Sequence, residues 1–196
     1  MNNYWVITAG YFIGAIPFSY IVGRLWAGID IRQYGSGNVG MTNVWRNAGP
    51  VAGLLAFAGD YGKGVLGILL ARHYGTDMVV ALTGAAILAG HSWPVFLGFK
   101  GGKLVATGVG VITAISLPVG IITMLIWLAV AGLSRYVSLA SITAVVAIPF
   151  LMLAYHLELP YLLLGFFAAV FVVYKHIPNI KRLLNGKEPK IVFKKF

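Results

Sequence analysis

Residues 35–49, GSGNVGMTNVWRNAG, are a polar stretch in a chain that is otherwise mostly apolar. They hold four glycines, Ser36, Thr42, three asparagines and Arg46. Gly35, Gly37 and Gly40 lift the β-carbon penalty on positive φ and let the backbone come close to a ligand. Successive backbone N–H groups in such turns form a concave anion site, which a following helix N-terminus strengthens. Ser36, Asn38, Thr42 and Asn43 add side-chain donors, and Arg46 adds a fork of N–H groups shaped for phosphate. The chemistry these types permit is that of a phosphate cradle.

Two nucleotide motifs overlap this stretch, and neither holds. Gly35-x-Gly37-x-x-Gly40 spells the dinucleotide fingerprint, which has meaning only between a strand and a helix. Here an apolar run precedes it, and the next acid, Asp60, lies inside another. The P-loop spelling fails because Met41 stands where lysine is required.

Further donors are spread along the chain. His91, Lys100 and Lys103 fall in GHSWPVFLGFKGGK, where Gly101-Gly102 before an apolar run makes a second plausible anion turn. His176 and Asn179 open a basic tail that also contains Arg182 and Glu188. Asp60 and Lys63 lie three apart within an apolar run, so they share a helix face. Charges at that depth are paired or turned to a cavity. Two readings stand: a mutually neutralising pair, or Lys63 facing an anionic substrate with Asp60 orienting it. His91 likewise either touches substrate or holds the Pro94 turn. Glu188 reads as the ion-pair partner of a nearby arginine or lysine.

Bases are scarce. The acids are Asp30, Asp60, Asp77, Glu158 and Glu188, and no His-x4-Asp or metal-ligand spacing of histidines occurs. The absence of cysteine excludes disulfides and thiolate chemistry. Such an inventory suits an already activated substrate, where positioning and charge stabilisation supply the rate.

These groups must be positioned by apolar helices. The 196 residues are 59% hydrophobic and only 10% charged, and several apolar runs approach the length of a membrane span. The net charge of +10 fits cytoplasmic loops and anionic lipid, with no recognition module for nucleic acid. Residues 1–10 lack the basic region of a signal peptide. Apolar spans are expected at residues 4–23, 50–71, 78–97, 137–155 and 161–174, with Gly10-x-x-x-Gly14 allowing close helix packing in the first. Residues 104–134 form one long run or two short ones. Split, they give seven spans with the N-terminus outside and thirteen of the 15 basic residues inside. Unsplit, the basic tail joins Arg72 outside, and the positive-inside rule favours the split. The expectation is an all-α polytopic membrane protein of seven transmembrane helices, some short, with a cytoplasmic C-terminus. That topology brings the three polar segments to one face.

The segments GSGNVGMTNVWR, GHSWPVFLGFKGGKLVAT and HIPNIKRLLNGKEPK closely resemble the three signature motifs of the bacterial acyl-phosphate:glycerol-3-phosphate acyltransferases. The resemblance covers nearly the whole chain, with departures at Met41, where alanine is common, and at Leu104, where glycine usually follows the lysine. It implies a single acyltransferase domain over residues 1–196 in the bacterial inner membrane, with its site toward the cytoplasm. It implies transfer of an acyl group from acyl phosphate to the 1-hydroxyl of glycerol 3-phosphate, giving lysophosphatidic acid and inorganic phosphate. No cofactor or metal is implied; the partners are the two substrates, membrane lipid and an upstream enzyme that makes acyl phosphate. On this resemblance Ser36, Arg46, Lys103, His176 and Asn179 are the expected catalytic residues. Gly35, Gly37, Asn38, Gly40, Thr42, Asn43, Lys63, His91, Gly101, Gly102 and Glu188 are expected to bind substrate. With no histidine or acid beside Ser36, a base drawn from the substrate's own phosphate is favoured over an acylated serine. The competing class is a transporter of a phosphorylated metabolite, which predicts charges crossing the membrane.

Overall fold

The computed structural model describes residues 3–191, and all regular structure among them is helical. The expected interfacial tail is therefore followed only to Ile191, and its end, 192–196, lies outside the described residues. The order is α1 (Trp5–Ala15), α2 (Phe18–Ala27), α3 (Met41–Ala48), α4 (Pro50–Tyr74), α5 (Asp77–Ser92), α6 (Val105–Ile115), α7 (Leu117–Ser134), α8 (Val137–Ala154), α9 (Leu159–Lys175) and α10 (Ile177–Leu184).

Five segments are long and apolar enough to cross a membrane: Trp5–Ala27, Pro50–Tyr74, Asp77–Leu97, Leu117–Ser134 and Val137–Ala154. The pair α9 and α10, bent by 56°, makes a sixth, and α6 is a shorter apolar helix. The long run of residues 104–134 is broken at Ser116, whose backbone is extended at φ −146° and ψ 106°. Pro118 sits in the first turn of α7, where its missing N–H costs nothing. Arg72 caps the C-terminal end of α6 by donating to the Ile115 carbonyl at 2.7 Å.

The first span departs from its expected course. It breaks at Ile16–Pro17, because proline donates no N–H and bars the residue before it from helix. The break leaves the Ile16 carbonyl with the Phe18 N–H at 3.2 Å, and Lys63 of α4 adds a closer donor at 2.8 Å.

Helices α1 and α5 pack backbone to backbone, with Gly14 against the Ile87 carbonyl. A β-carbon at Gly14 would overlap that peptide, so the glycine spacing does the close-packing expected of it. The main apolar core joins α4, α5, α6, α8 and α9 around Ile68, Ile87, Val111, Ile148 and Leu164. A second, smaller core of Ile31, Val39, Val44, Ala52, Ala56 and Leu97 lies under the polar loop and fixes it to α4. The loop is thus anchored by burial on its inner side and free to present donors on its outer side.

Candidate functional site

The loop is built around one side chain. Asn43, on α3 and nearly fully buried, donates through Nδ2 to the carbonyls of Ile31 (3.0 Å), Tyr34 (2.9 Å) and Asn38 (3.1 Å). Its Oδ1 accepts from the Ser36 N–H at 3.3 Å and from Asn47 Nδ2 at 3.0 Å. Its amide is therefore engaged by the loop itself, while the residue also lines the cavity described below. Gly35 (φ +57°) and Gly37 (φ +67°) take the left-handed conformation their identity permits. Gly40 does not: its φ of −167° is ordinary extended backbone, and its smallness instead leaves room for the Asn38 amide. Asp30 braces the loop from below, accepting from Arg32 at 2.7 and 2.9 Å and from Arg24 at 3.3 Å. Those bonds hold its carboxyl down at about 2.

The second glycine turn folds back onto α5. Gly101 and Gly102 donate their N–H groups to the carbonyls of Ser92 and His91, each at 3.1 Å. A β-carbon at Gly102 would strike the His91 ring. His91 is buried, with Nδ1 3.1 Å from Thr107 Oγ1 and 3.6 Å from Asp60 Oδ1. This chain of contacts sets the height of Lys103. Leu104, next in sequence, takes φ +73° as the N-cap of α6 while its side chain is only 2% exposed. Burial of a leucine holds a conformation that leucine resists.

The tail brings the third set. Lys103 Nζ donates to Asn179 Oδ1. Asn179 Nδ2 donates to Glu188 Oε1 at 2.8 Å, and Arg182 Nε donates to Glu188 Oε2 at 2.7 Å. Arg46 Nη2 donates to the Pro189 carbonyl at 3.0 Å, tying the tail over α3. His176 donates from Nδ1 to the Val172 carbonyl at 2.8 Å, since a carbonyl can only accept, and Nε2 is left free of that proton. Burial pushes Lys103 down to about 8, with Arg182 and Lys175 adding to the effect and Glu188 opposing it. Burial also lowers Arg46. At Glu188 burial acts upward, but hydrogen bonds led by Asn179 outweigh it and keep the carboxylate ionised.

These groups surround a cavity of about 810 Å³. Its polar end holds Gly35, Ser36, Asn38, Gly40, Thr42, Asn43, Arg46, Lys103, His176, Asn179 and Glu188, with His91 and Asp60 at its floor. An apolar arm leads away between Leu54 and Phe57 of α4, Val105 and Val109 of α6, and Met124, Trp127 and Leu128 of α7. An adjoining polar cavity of about 630 Å³ takes in Arg32, Gly37, Lys100 and Gly101. Ser36, Asn38, Lys103 and Arg182 line both.

Two expected residues stand off both walls. Gly102 serves the turn behind Lys103. Lys63 is 3% exposed, pairs with Asp60 Oδ1 at 2.8 Å and donates to the Ile16 carbonyl at 2.8 Å. Asp60 also accepts from Ser19 at 2.6 Å. Of the two readings for this pair, the geometry is that of mutual neutralisation. Arg182, Asn47, Trp127, Ser138 and Ser141 line the main cavity although no motif singled them out as site residues. Arg182 had a signal in its spacing, three residues after Asn179 on one short helix. Among the described residues no histidine or carboxylate hydrogen-bonds Ser36 Oγ, whose partner is the Asn38 N–H at 3.4 Å.

Comparison with known proteins meets this geometry at several points. A family model described as glycerol-3-phosphate acyltransferase matches residues 4–186. A protein of that name from Desulforudis audaxviator (strain MP104C) is 47% identical over 191 residues, covering 97% of this chain and 96% of the relative. Another, from Synechococcus sp. (strain CC9902), is 45% identical over 97% of this chain and 96% of its own length. The crystal structure of PlsY (YgiH), an integral membrane glycerol 3-phosphate acyltransferase, in its glycerol 3-phosphate form superposes with a TM-score of 0.92 at 39% identity, over 96% of this chain and 94% of that one. Its lysophosphatidic acid form gives 0.89 at the same identity and coverage.

Proposed function

The chain belongs to the glycerol-3-phosphate acyltransferase family, and on that premise we propose that it takes its acyl group from acyl phosphate and delivers it to the 1-hydroxyl of glycerol 3-phosphate. It is a multi-pass membrane acyltransferase of phospholipid synthesis, and the transporter reading falls away. The observation that supports this choice of substrates is the single cavity whose donor-lined end continues into an apolar arm. The phosphates of the two substrates need the donors, and one acyl chain needs the arm.

In the proposed reaction the 1-hydroxyl oxygen bonds to the acyl carbonyl carbon while the bond from that carbon to the phosphate oxygen breaks. The hydroxyl proton passes to a phosphate oxygen, and inorganic phosphate leaves. Ser36, Gly37, Asn38 and Thr42 hold the donor phosphate, with Gly35, Gly40 and Asn43 shaping the loop. Arg46 and Lys103 neutralise the charge that grows on the departing phosphate. His176 and Asn179 orient glycerol 3-phosphate, His176 accepting at Nε2. Gly101, Gly102 and His91 fix Lys103, and Glu188 aligns Asn179 and Arg182. A proton acceptor on the substrate fits a serine without a basic partner.

The whole chain acts as one integral-membrane domain of seven passes, α6 being a short one. The N-terminus lies outside and the site faces the cytoplasm of a bacterial inner membrane, as the distribution of arginine and lysine favours. An enzyme producing acyl phosphate supplies it. The test is phosphate release by the purified protein given palmitoyl phosphate and glycerol 3-phosphate. Release is expected only with both substrates and is lost in Arg46→Ala. Release with palmitoyl phosphate alone, or no release from folded protein, overturns the reading.

A further inference from the structure

Arg46 has to aim its guanidinium at a phosphate, yet it is an exposed residue of α3, a helix of eight residues. An exposed arginine samples many rotamers, and ordering it at the moment of binding costs affinity or rate unless it is ordered beforehand. Among the described residues one hydrogen bond restrains its side chain: Nη2 donates to the Pro189 carbonyl at 3.0 Å. That carbonyl stands 143 positions further along the chain. A guanidinium carries five N–H groups in a rigid fork, so a carbonyl can hold one while the others stay free for phosphate oxygens.

The carbonyl is itself held from both sides. Before it, Glu188 accepts from Asn179 Nδ2 at 2.8 Å and from Arg182 Nε at 2.7 Å, both on α10. After it, the Ile191 N–H donates to the Arg135 carbonyl at 2.8 Å, and Ile191 is buried. Between them the Lys190 ammonium lies 5.3 Å from the centre of the Tyr136 ring. Arg135 and Tyr136 are the turn that joins α7 to α8. Residues 188–191 therefore run from α10 to that turn as a strap, and Pro189 in its middle lines the main cavity. Proline fixes φ there, which stiffens the strap at the point that meets Arg46. An irregular segment of this kind is ordinarily mobile. Here it is fastened on three partners, and what the fastenings keep in place is a carbonyl on a catalytic arginine.

We propose that residues 189–191 are a positioning strap for Arg46: the Ile191 N–H pins the strap to the α7–α8 turn, and the Pro189 carbonyl then aims the Arg46 fork at the departing phosphate. The strap acts through Arg46 and touches no reacting atom. The inference rests on the acyltransferase reading given above. It gives the α7–α8 turn, which supplies no catalytic side chain, a share in the rate.

The test is a double-mutant cycle on the full chain in detergent, read as kcat and KM with palmitoyl phosphate and glycerol 3-phosphate, alongside the melting temperature. Ile191→Pro removes the N–H that pins the strap, and Ile191→Val keeps it. Arg46→Lys keeps a charge but exchanges the fork for a compact ammonium with little to aim. Alone, Ile191→Pro is expected to lower kcat about fivefold, the worth of ordering one long side chain in advance. The KM for glycerol 3-phosphate stays within about twofold, and Ile191→Val behaves as the wild type. Added to Arg46→Lys, Ile191→Pro is expected to cost less than about twofold. Should Ile191→Pro not fold, Ile191→Ala, which trims the buried side chain of the strap, completes the same cycle. A loss of equal size in both backgrounds overturns the proposal, for the strap then acts on something other than Arg46. So does a raised KM for glycerol 3-phosphate at unchanged kcat, which would make the strap a support for Glu188 and Asn179. Folded wild-type protein without turnover would instead sink the acyltransferase reading itself.

Discussion

Lys63 on α4 donates to the carbonyl of Ile16, 2.8 Å away, at the point where Pro17 breaks the first span. The same ammonium is 2.8 Å from Asp60, so one cation serves a broken helix and a buried carboxylate at once. Replacing it takes a donor from each: Asp60 keeps the Ser19 hydroxyl at 2.6 Å but loses its neutralising cation, and the Ile16 carbonyl keeps the Phe18 N–H at 3.2 Å. Lys63→Met is expected to lower stability by about 3–5 kcal/mol, the usual cost of breaking a buried pair. Asp60→Asn combined with Lys63→Met is expected to regain part of that loss. Thermal unfolding in detergent measures both. Because Lys63 lies off the cavity walls, the fraction that folds keeps its turnover, and a KM for glycerol 3-phosphate raised tenfold in folded Lys63→Met would restore the substrate-facing reading.

Asn43 supports the glycine loop through three carbonyls. Asn43→Asp replaces two donors by a negative charge aimed at those carbonyls. A fall in kcat/KM of about a hundredfold is expected, as from losing two or three hydrogen bonds of about 1 kcal/mol each. The small core of Ile31, Val39 and Val44 keeps the segment attached, so the loss should show in kinetics before it shows in circular dichroism. Wild-type kinetics from Asn43→Asp would mean that the loop holds its shape by other means.

Lys103 must carry its proton to neutralise a phosphate, and burial brings its pKa down to about 8 in the free enzyme. As pH rises through that value the ammonium loses its charge. The value of kcat/KM, which reports the free enzyme, should therefore fall on the alkaline side of about 8. Lys103→Arg keeps its charge and should move that limb to higher pH, at some cost in rate. A profile flat to pH 10 in the wild type would place the charge elsewhere. For stability the sign is opposite: the unfolded chain binds this proton more tightly, so the contribution of Lys103 improves between about 8 and its unfolded value.

Leu104 is an N-cap, where glycine ordinarily ranks above alanine, and its backbone sharpens that ranking. Here φ is +73°, so Leu104→Ala keeps a strain of about 1–2 kcal/mol and also loses the buried side chain. Leu104→Gly loses the side chain but sheds the strain. The glycine variant is expected to melt higher than the alanine variant, and both below the wild type. Scanning calorimetry in detergent decides it, and an alanine variant that outlasts the glycine one would mean the backbone relaxes.

The positions of the donors were legible because polar residues are conspicuous among apolar ones. GSGNVGMTNVWR, the Gly101-Gly102-Lys103 turn and the His176 segment all reach one cavity. The break at Ser116 was also readable, since the spread of arginines asks for an extra reversal there. What each donor does was less readable. Whether Asn43 points at a ligand or at its own loop depends on where the Ile31, Tyr34 and Asn38 carbonyls end up, which only the folded loop decides. Pro17 was visible, but proline bends some membrane helices and breaks others, and its outcome here turns on Lys63, 46 positions away. Ser138 and Trp127 read as ordinary span residues until α7 and α8 bring them to the mouth of the apolar arm.

The wall of Ser36, Asn38, Lys103 and Arg182 shared by the two cavities carries a kinetic consequence. A water-soluble reactant and a greasy one can reach the same atoms through separate doors. Neither has to leave before the other arrives, and neither blocks the other's doorway. Initial-velocity lines at several fixed concentrations of one reactant should then converge when plotted in reciprocal form, with no compulsory order of addition. Parallel lines would mean that the acyl group is parked on the protein between two visits.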